Sequence, residues 1–336
     1  MIISKTPYRI SFFGGGSDYP EWFNKFGGSV LSTTIDKHIY ISCRFLPNFF
    51  KHKYRIVWSK IENVKKISQI KHGAVKNLLM HLHINEGLEI HYDGDLPARS
   101  GMGSSSSFSV GLLIALLALK NNNISKMNLA KKVINFEQNI MNETVGSQDQ
   151  VAASIGGFNK ISFYKKGLIT IKRFQNVKNI KKLENNLVLI YTGVNRTAHK
   201  IASSFVDKLT SSKEKYIRNI VEHVSEGERI LMSGEIDDFG KLLNSSWLLK
   251  KKLSSSITNK KIDDLYNFAI DNGALGGKLL GAGGGGFLLM YMKEKNRKQF
   301  FKNNKKIINV PLKFSNEGTK IIFKNLLKGY NFLVVN

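Results

Sequence analysis

The chain has little cysteine and no long apolar run, and each shortage excludes a class of protein. Its single cysteine, Cys43, cannot form a disulfide within the chain and favours a reducing, cytoplasmic setting. The most apolar segment, 110–119, is far shorter than the ~20 residues that a membrane-spanning helix requires. The first residues also lack the layout of a signal peptide. We therefore expect a cytoplasmic protein with no membrane partner.

Acidic residues are half as frequent as basic ones. The chain has 25 Asp and Glu against 51 Lys and Arg, a formal net charge of +26 that is typical of nucleic-acid-binding proteins. The lysines are nevertheless scattered with asparagine through nearly every segment and form no long basic arm. We therefore expect no nucleic-acid partner and interpret the charge as one that attracts small anionic substrates.

With 336 residues, of which 42% are hydrophobic, the chain is long enough for two domains with cores of their own. We place a boundary in the polar stretch 178–186, which gives domains 1–182 and 183–336. Alternation and turn residues predict strands over 6–13, 29–35, 38–45, 54–58, 88–92, 158–163, 168–174, 187–191, 287–292 and 307–314, with 29–35 and 38–45 paired as a hairpin about Asp36 and Lys37. Helical spacing predicts helices over 110–119, 128–141, 148–155, 197–209, 213–232, 236–253, 260–272 and 296–301.

A loop of glycine and serine opens the apolar segment 110–119. It reads Leu96-Pro97-Ala98-Arg99-Ser100-Gly101-Met102-Gly103-Ser104-Ser105-Ser106-Ser107-Phe108. Such a loop presents free backbone N–H groups and the positive end of the helix dipole, which bind phosphate well. The alternative is a flexible linker, but here a predicted strand precedes the loop and a buried helix follows it. The loop lacks the Lys of a Walker loop and the third Gly of a dinucleotide fingerprint, so we predict a nucleotide site of another type.

Two charged residues interrupt apolar segments. Arg9 stands in the predicted strand 6–13, and Glu137 lies between Phe136 and Ile140 on the apolar side of a predicted helix. A buried charge needs a partner. Arg9 would therefore face an acidic group or an anionic ligand, and Glu137 a metal or a hydrogen-bonding partner. Either side chain would instead be solvated if it lay at the edge of its element.

Two aspartates and a glycine tract complete the candidate residues. Asp18 follows three glycines and would by itself be a turn cap. Asp149 follows a glycine turn at the start of the predicted helix 148–155, where an acidic residue also stabilises the helix dipole. The tract 281–286 contains five glycines, each of which costs roughly 0.5–1 kcal/mol of backbone entropy relative to alanine. Close approach to a ligand or to another loop would offset that cost.

Four motifs, taken in chain order, resemble those of the GHMP kinase superfamily of galactokinases, homoserine kinases, mevalonate kinases and phosphomevalonate kinases. They are Pro7-Tyr8-Arg9-Ile10-Ser11 with the following glycines and Asp18-Tyr19, the loop from Pro97 to Ser105, Gly146-Ser147-Gln148-Asp149-Gln150, and Lys278-Leu279-Leu280-Gly281 with the glycine tract. The first and third resemble most those of the D-glycero-D-manno-heptose 7-phosphate kinases. The resemblance implies an α+β fold of two domains, an N-terminal mixed sheet with helices and a C-terminal ferredoxin-like α/β sandwich, with the site in the cleft between them.

The resemblance also implies an activity and a set of site residues. The chain would transfer the γ-phosphoryl of ATP to the anomeric hydroxyl of heptose 7-phosphate, for the synthesis of nucleotide-activated heptose. Asp149 would be the catalytic aspartate and Arg9 would stabilise it, while Glu137 and a serine of the loop, Ser104 or Ser105, would bind Mg²⁺. The ATP phosphates would be bound by Pro97, Ser100, Gly101, Met102, Gly103, Ser104, Ser105 and Ser106. The sugar would be bound by Gly14, Gly15, Gly16, Ser17 and Asp18, with the floor of the site closed by Gly283 and Gly284.

One departure bears on the acceptor. Galactokinase-like members carry Glu-His where this chain has Gly15-Gly16, which argues against galactose and leaves room for a bulkier or phosphorylated sugar. A phosphorylated sugar needs basic residues, for which Arg44, Arg196 and Lys200 are candidates. A 1-kinase for fucose or a hexose remains an alternative, as does a non-catalytic sensor, which would lack Asp149 or Glu137. The expected partners are ATP and a sugar phosphate, with a homo-oligomer left open.

Overall fold

Runs of β-branched and aromatic residues form two sheets in the computed structural model, which describes residues 1–194 and 201–326. The strands are, in chain order, β1 (Ile2–Phe13), β2 (Gly28–Phe45), β3 (Tyr54–Val57), β4 (Ile61–Val64), β5 (Leu88–Gly94), β6 (Phe158–Phe163), β7 (Ile169–Arg173), β8 (Leu187–Tyr191), β9 (Ala274–Leu279), β10 (Phe287–Met292), β11 (Phe314–Ser315) and β12 (Lys320–Lys324). In the first sheet the order is β12-β1-β2-β5-β3-β4, with β6 and β11 also paired to β2 and β7 to β6. Only the β3–β5 pairing is parallel among the described strands, so the expected mixed sheet is confirmed.

The predicted hairpin about Asp36 and Lys37 is wrong. Residues Gly28–Phe45 form one long strand, which pairs with β1 on both sides of a register shift between Pro7 and Arg9. Asp36 does not turn the chain because it is paired elsewhere. Its backbone N–H donates to the carbonyl of Lys313, and its carboxylate accepts from the Lys313 N–H at 2.9 Å.

Helices cover the sheets. They are α1 (Pro20–Phe26), α2 (Gly73–His81), α3 (Ser104–Leu119), α4 (Lys126–Asn135), α5 (Gln148–Ile155), α6 (Lys178–Asn186), α7 (Glu214–Ser233), α8 (Ile236–Lys251), α9 (Lys260–Asp271) and α10 (Glu294–Asn303). The helix predicted over 128–141 instead ends at Asn135 and continues as a π-helical turn over Phe136–Ile140, which carries Glu137. No helix within the described ranges is both long and apolar enough to cross a membrane.

The position of helix α3 in the fold explains why its sequence is apolar on all sides. Most of its residues are buried, and it packs against β1 and β2 at the centre of the first sheet. Its Gly111 is required there, since an added Cβ would lie 2.8 Å from Thr6 Oγ1, and the Ser4 hydroxyl donates to the Gly111 carbonyl. This packing fixes the start of α3, and with it the preceding loop, against β1.

The second sheet has the order β8-β10-β9, all antiparallel. On its free side, next to β8, Asn309 bridges Ile190, and the N–H groups of Tyr191 and Val310 donate to the carbonyls of Ile308 and Leu189. With this bridge as a fourth position, the strand order is that of the expected ferredoxin-like arrangement. The strand predicted over 307–314 is reduced to this bridge and to β11.

Three features bear on the predicted domains and helices. The boundary at 182/183 falls inside α6 and stays a prediction. The late strands β11 and β12 return to β2 and β1 of the first sheet, beside a hydrogen bond between the hydroxyls of Thr6 and Thr319. Of the helix predicted over 197–209, residues 197–200 lie outside the described residues, and the rest is mostly turn with a 3₁₀ helix at Val206–Lys208.

Candidate active site

A cavity of about 320 Å³ is lined by the end of β1, the loop before α3, the start of α5 and the glycine tract after β9. Most of the predicted site residues meet there, although they come from four distant segments. Those that line it are Arg9, Gly15, Gly16, Asp18, Gly101, Gly103, Ser104, Ser105, Ser106, Asp149 and Gly283.

The centre of the cavity is an ion pair between Arg9 and Asp149. Arg9 Nε donates to Asp149 Oδ1 at 2.6 Å and Nη2 donates to Oδ2 at 2.8 Å, while Nη1 donates to the carbonyl of Gly101 at 2.8 Å. Arg9 is only 4% exposed, which excludes the solvent-facing alternative. Its partner is the acidic group that the sequence predicts, the carboxylate of Asp149. The Asp149 side chain keeps 23% of its surface exposed. A bidentate pair of this kind fixes the orientation of the carboxylate that faces the cavity.

The loop before α3 wraps this pair. Gly101 and Gly103 both have positive φ, 78° and 75°, and an added Cβ at Gly103 would lie 3.3 Å from Asp149 Oδ2. Helix α3 starts at Ser104 with no side-chain cap, and its first three residues line the cavity. Within the part of the chain that the structure describes, the first N–H groups of α3 are therefore free for an anion in the cavity.

Glu137 lies behind the loop, outside the cavity lining. It is 1% exposed and accepts hydrogen bonds on Oε2 from Ser106 Oγ, at 2.8 Å, and from Gln150 Nε2. Its Oε1 is buried and has no hydrogen-bond partner among the described residues. Burial raises the pKa of this carboxyl to about 7, against hydrogen bonds that lower it. The serine that contacts Glu137 is Ser106, whereas the motif predicts Ser104 or Ser105 as the serine that binds Mg²⁺ with it, and Ser105 is exposed at the cavity.

Asp18 is a buried carboxyl that also lines the cavity. The N–H of Gly16 donates to its Oδ1 at 3.0 Å and the N–H of Gln148 to its Oδ2 at 3.3 Å. Burial, with the charge of Asp149, raises the pKa of Asp18 to about 6. Gly146 must be glycine here, since a Cβ would lie 1.9 Å from Asp18 Oδ2.

The glycine tract approaches the loop before α3, the predicted phosphate loop, and the two backbones are in direct contact. A Cβ on Gly281 would lie 2.5 Å from Gly101 Cα, and one on Gly101 would lie 2.6 Å from the Leu280 carbonyl. The expected close approach to another loop is therefore present, and it explains why neither position tolerates a side chain.

Several predicted residues support the cavity without lining it. Ser17 is buried and donates to the Gly14 carbonyl, Gly284 donates to the Ile257 carbonyl, and Met102 is fully buried behind the loop. The other predicted residues that do not line the cavity are Gly14, Pro97, Ser100, Glu137 and Arg44.

The basic residues predicted for a sugar phosphate are not brought to the cavity. Arg44 lies elsewhere, near the end of β2, and forms an ion pair with Glu89. Its Nε donates to Glu89 Oε2 at 2.7 Å. Arg44 therefore does not line this cavity, and its role in substrate binding stays a prediction without support from this geometry. Arg196 and Lys200 lie outside the described residues.

Two lysines that the sequence reasoning passed over do line the cavity, Lys250 at the end of α8 and Lys278 in β9. The ammonium of Lys278 donates to the carbonyl of Phe12 at 2.6 Å, and that of Lys250 donates to the carbonyls of Leu279 and Gly281. A signal existed for Lys278, which interrupts an apolar strand as Arg9 does. Lys250 stands in a run of three lysines, and nothing in that run distinguishes it.

Comparisons with known proteins agree with this geometry. The family model of the GHMP kinases N terminal domain matches residues 68–157, and that of the GHMP kinases C terminal domain matches residues 229–305. The D-glycero-alpha-D-manno-heptose 7-phosphate kinase of Campylobacter jejuni is 28% identical over 301 residues, 84% of this chain and 86% of that protein. A galactokinase of Pyrococcus furiosus is 24% identical over 314 residues, with the same coverage. The crystal structure of a D-glycero-D-manno-heptose 1-phosphate kinase from Bacteroides thetaiotaomicron superposes with a TM-score of 0.77 at 21% identity, covering 97% of this chain and all of that one.

Proposed function

The chain belongs to the GHMP kinase superfamily and is an ATP-dependent phosphotransferase with an alcohol acceptor, and we propose that this acceptor is D-glycero-D-manno-heptose 7-phosphate. The anomeric hydroxyl would be phosphorylated to give the 1,7-bisphosphate, a precursor of nucleotide-activated heptose, in the cytoplasm. The observation that carries the proposal is the Arg9–Asp149 pair, which lies in one cavity with Asp18 and the phosphate loop. The similarity to the Campylobacter jejuni enzyme supports the choice of sugar.

In this proposal Asp149 orients the acceptor hydroxyl and takes its proton as the oxygen attacks the γ-phosphorus. The bond from that phosphorus to the oxygen bridging to the β-phosphate breaks, and ADP leaves with the electron pair. Arg9 would hold the Asp149 carboxylate directed at the hydroxyl through two hydrogen bonds. The N–H groups at the start of α3 stabilise the negative charge on the phosphates, which is the main contribution that phosphoryl transfer requires from a protein.

The residues present fit Mg²⁺. The buried Glu137 Oε1 has no hydrogen-bond partner among the described residues, so the fold keeps a carboxylate oxygen free beside the serines of the loop. Glu137, with Ser105 or Ser106, would hold the ion, which when bound neutralises charge on the ATP phosphates. The described residues contain no cluster of three His, Cys, Asp or Glu side chains. Such a site agrees with Mg²⁺, which is typically bound by one or two carboxylates together with phosphates and water.

The acceptor side of the cavity supports a sugar that carries hydroxyls. Asp18 is held by two backbone N–H groups in an orientation where its carboxylate can accept from sugar hydroxyls. Gly15 has no side chain, and even a Cβ there would meet only Gln148 Nε2, at 3.8 Å. The cavity is therefore open at Gly15, one of the two positions where galactokinase-like sequences carry larger residues.

The test is ADP release measured over a panel of acceptors: heptose 7-phosphate, the unphosphorylated heptose, galactose, L-fucose and mevalonate. We expect heptose 7-phosphate to give the highest kcat/KM by at least tenfold. A higher value for an unphosphorylated sugar would instead favour a 1-kinase of the galactose or fucose type. No ADP release with any acceptor, in a protein that binds ATP, would favour a sensor.

A further inference from the structure

Lys250 and Lys278 are not used by the phosphoryl-transfer step described above, yet both line the cavity. Lys278 is 5% exposed, and neither ammonium group has a carboxylate within ion-pair distance among the described residues. Buried cations without a counter-ion are costly. In line with this cost, burial and the neighbouring Arg9 lower the pKa of Lys278 to about 7. Burial, together with Lys278 and Arg9, also puts the pKa of Lys250 well below its usual value.

The two ammonium groups retain unused donors. Each ammonium has three N–H donors. The contacts of the described residues use two on Lys250, toward Leu279 and Gly281, and one on Lys278, toward Phe12. With both groups in the ammonium form that a bound anion favours, three donors therefore remain beside the cavity. This is the donor set that a terminal phosphate group, with three oxygens and up to two negative charges, would satisfy.

The position of Lys278 favours the acceptor over the nucleotide. Its ammonium is bound to Phe12, at the end of β1 that leads directly into Gly15, Gly16 and Asp18. Helix α7 covers this side of the cavity with Ile220, and a Cβ on Gly16 would contact Ile217 of the same helix. The nucleotide phosphates already have their own donors at the start of α3. Lys278 thus adds positive charge on the acceptor side, and Lys250 lies near it at the glycine tract, where it donates to the Gly281 carbonyl.

We propose that Lys250 and Lys278 form a second anion subsite, which binds the phosphate group that the acceptor carries before the reaction and so selects a phosphorylated sugar. This inference rests on the proposed sugar-kinase function and assigns, within the cavity, the phosphate recognition that Arg44 does not provide there. The same chemistry would also suit a phosphate of the nucleotide, so the experiment separates the two sources.

The variants are Lys278→Met and Lys250→Met, which keep side-chain length and remove the charge, with Lys278→Arg as a variant that keeps it. Lys252→Met is the matched control, because Lys252 is exposed and does not line the cavity. Kinetics are measured with heptose 7-phosphate and with the unphosphorylated heptose at saturating ATP, and the KM for ATP is measured separately. Inhibition by inorganic phosphate is measured against each substrate.

We expect each Met variant to lose roughly 10- to 100-fold in kcat/KM for heptose 7-phosphate, the loss of one charge-assisted hydrogen bond or more, and less than threefold for the unphosphorylated sugar. Inorganic phosphate should compete with the acceptor in the wild type and about tenfold more weakly in the Met variants. Lys278→Arg should retain more of the preference, and Lys252→Met should resemble the wild type.

Equal losses on both sugars, or a rise in the KM for ATP alone, would overturn the inference. Failure of the proposed function looks different, because the wild type itself would then not turn over heptose 7-phosphate. In that case phosphate inhibition, measured with whichever sugar is turned over, still tests the lysines. Competition with ATP, or equal inhibition of wild type and Met variants, counts against the subsite.

Discussion

Substitution of Glu137 by glutamine should stabilise the protein at alkaline pH while removing its response to Mg²⁺. The carboxyl is 1% exposed, and burial raises its pKa from the usual 4.5 to about 7. A folded-state pKa above the unfolded one means that the neutral acid is favoured by folding. Its contribution to stability is complete below pH 4.5 and is lost as the pH rises through 7.

The size of this loss follows from the shift. A difference of about 2.5 pKa units at 1.36 kcal/mol each corresponds to roughly 3 kcal/mol of unfolding free energy lost by pH 8. The amide of Glu137→Gln does not titrate, and its oxygen can accept from Ser106 and Gln150 as Oε2 does now. The variant should therefore gain up to about 3 kcal/mol over the wild type between pH 5 and pH 8. For a chain of this length that is a relative rise in Tm of about 4 °C.

The assay is thermal unfolding from pH 5 to pH 9 without metal, repeated with Mg²⁺ and a non-hydrolysable ATP analogue. The ion should stabilise the wild type, by about 2.7 kcal/mol at a hundred times its Kd, and add little to the variant. Glu226→Gln is the control, since Glu226 is exposed and paired with Arg229 and should show no gain at high pH. Parallel pH profiles for wild type and Glu137→Gln, or equal stabilisation of both by Mg²⁺, would refute the reasoning.

Three further predictions concern the cavity. Asp149→Asn should bind ATP normally but lose roughly 10²- to 10⁴-fold in single-turnover rate, as expected for a general base, and wild-type turnover would remove Asp149 from the mechanism. Gly281→Ala would place a Cβ 2.5 Å from Gly101 Cα and should raise the KM for ATP about tenfold, whereas Gly73→Ala, whose nearest neighbour is 3.9 Å away, should not. Burial raises the pKa of Asp18 to about 6, so the carboxylate is lost to protonation as the pH falls below 6. The ratio of the acceptor KM of the wild type to that of Asp18→Asn should therefore rise below pH 6, and a ratio that does not change with pH would contradict this prediction.

Local signals in the sequence were enough for most elements of the fold. Strand β8 and helix α5 have the predicted bounds, because apolar runs and glycine turns delimit them on both sides. The hairpin at Asp36 failed for a reason that no local pattern contains, since Asp36 is paired with Lys313, far away in sequence. The end of α4 was missed for a similar reason. Its apolar spacing continues into the π-helical turn that directs Glu137 toward Ser106 and Gln150.

For the site, the sequence motifs identified the residues but could not give the pairing between them. Arg9 alone left a solvent-facing alternative open, and only the bidentate contact with Asp149 excluded it. Ser106, and not Ser105, contacts Glu137 because of the side of α3 that faces the π-helical turn. The sequence cannot show this, because four consecutive serines are chemically equivalent. Only the rotation of α3 about its axis decides which of them faces Glu137.

The charge of the cavity links these observations to the choice of acceptor. Among its described lining residues the charges of Arg9 and Asp149 balance, as do those of Arg99 and Glu143, which leaves Lys250 and Lys278 with the buried carboxyl of Asp18. Asp18 already receives two backbone N–H groups and makes no ion pair with either lysine. In the proposed subsite, a neutral sugar would satisfy Asp18 and supply no anion to the lysines, whereas a sugar phosphate would satisfy all three groups at once. The unbalanced pair of lysines, which come from α8 and β9 in the C-terminal half, therefore favours a phosphorylated acceptor independently of the similarity to heptose 7-phosphate kinases.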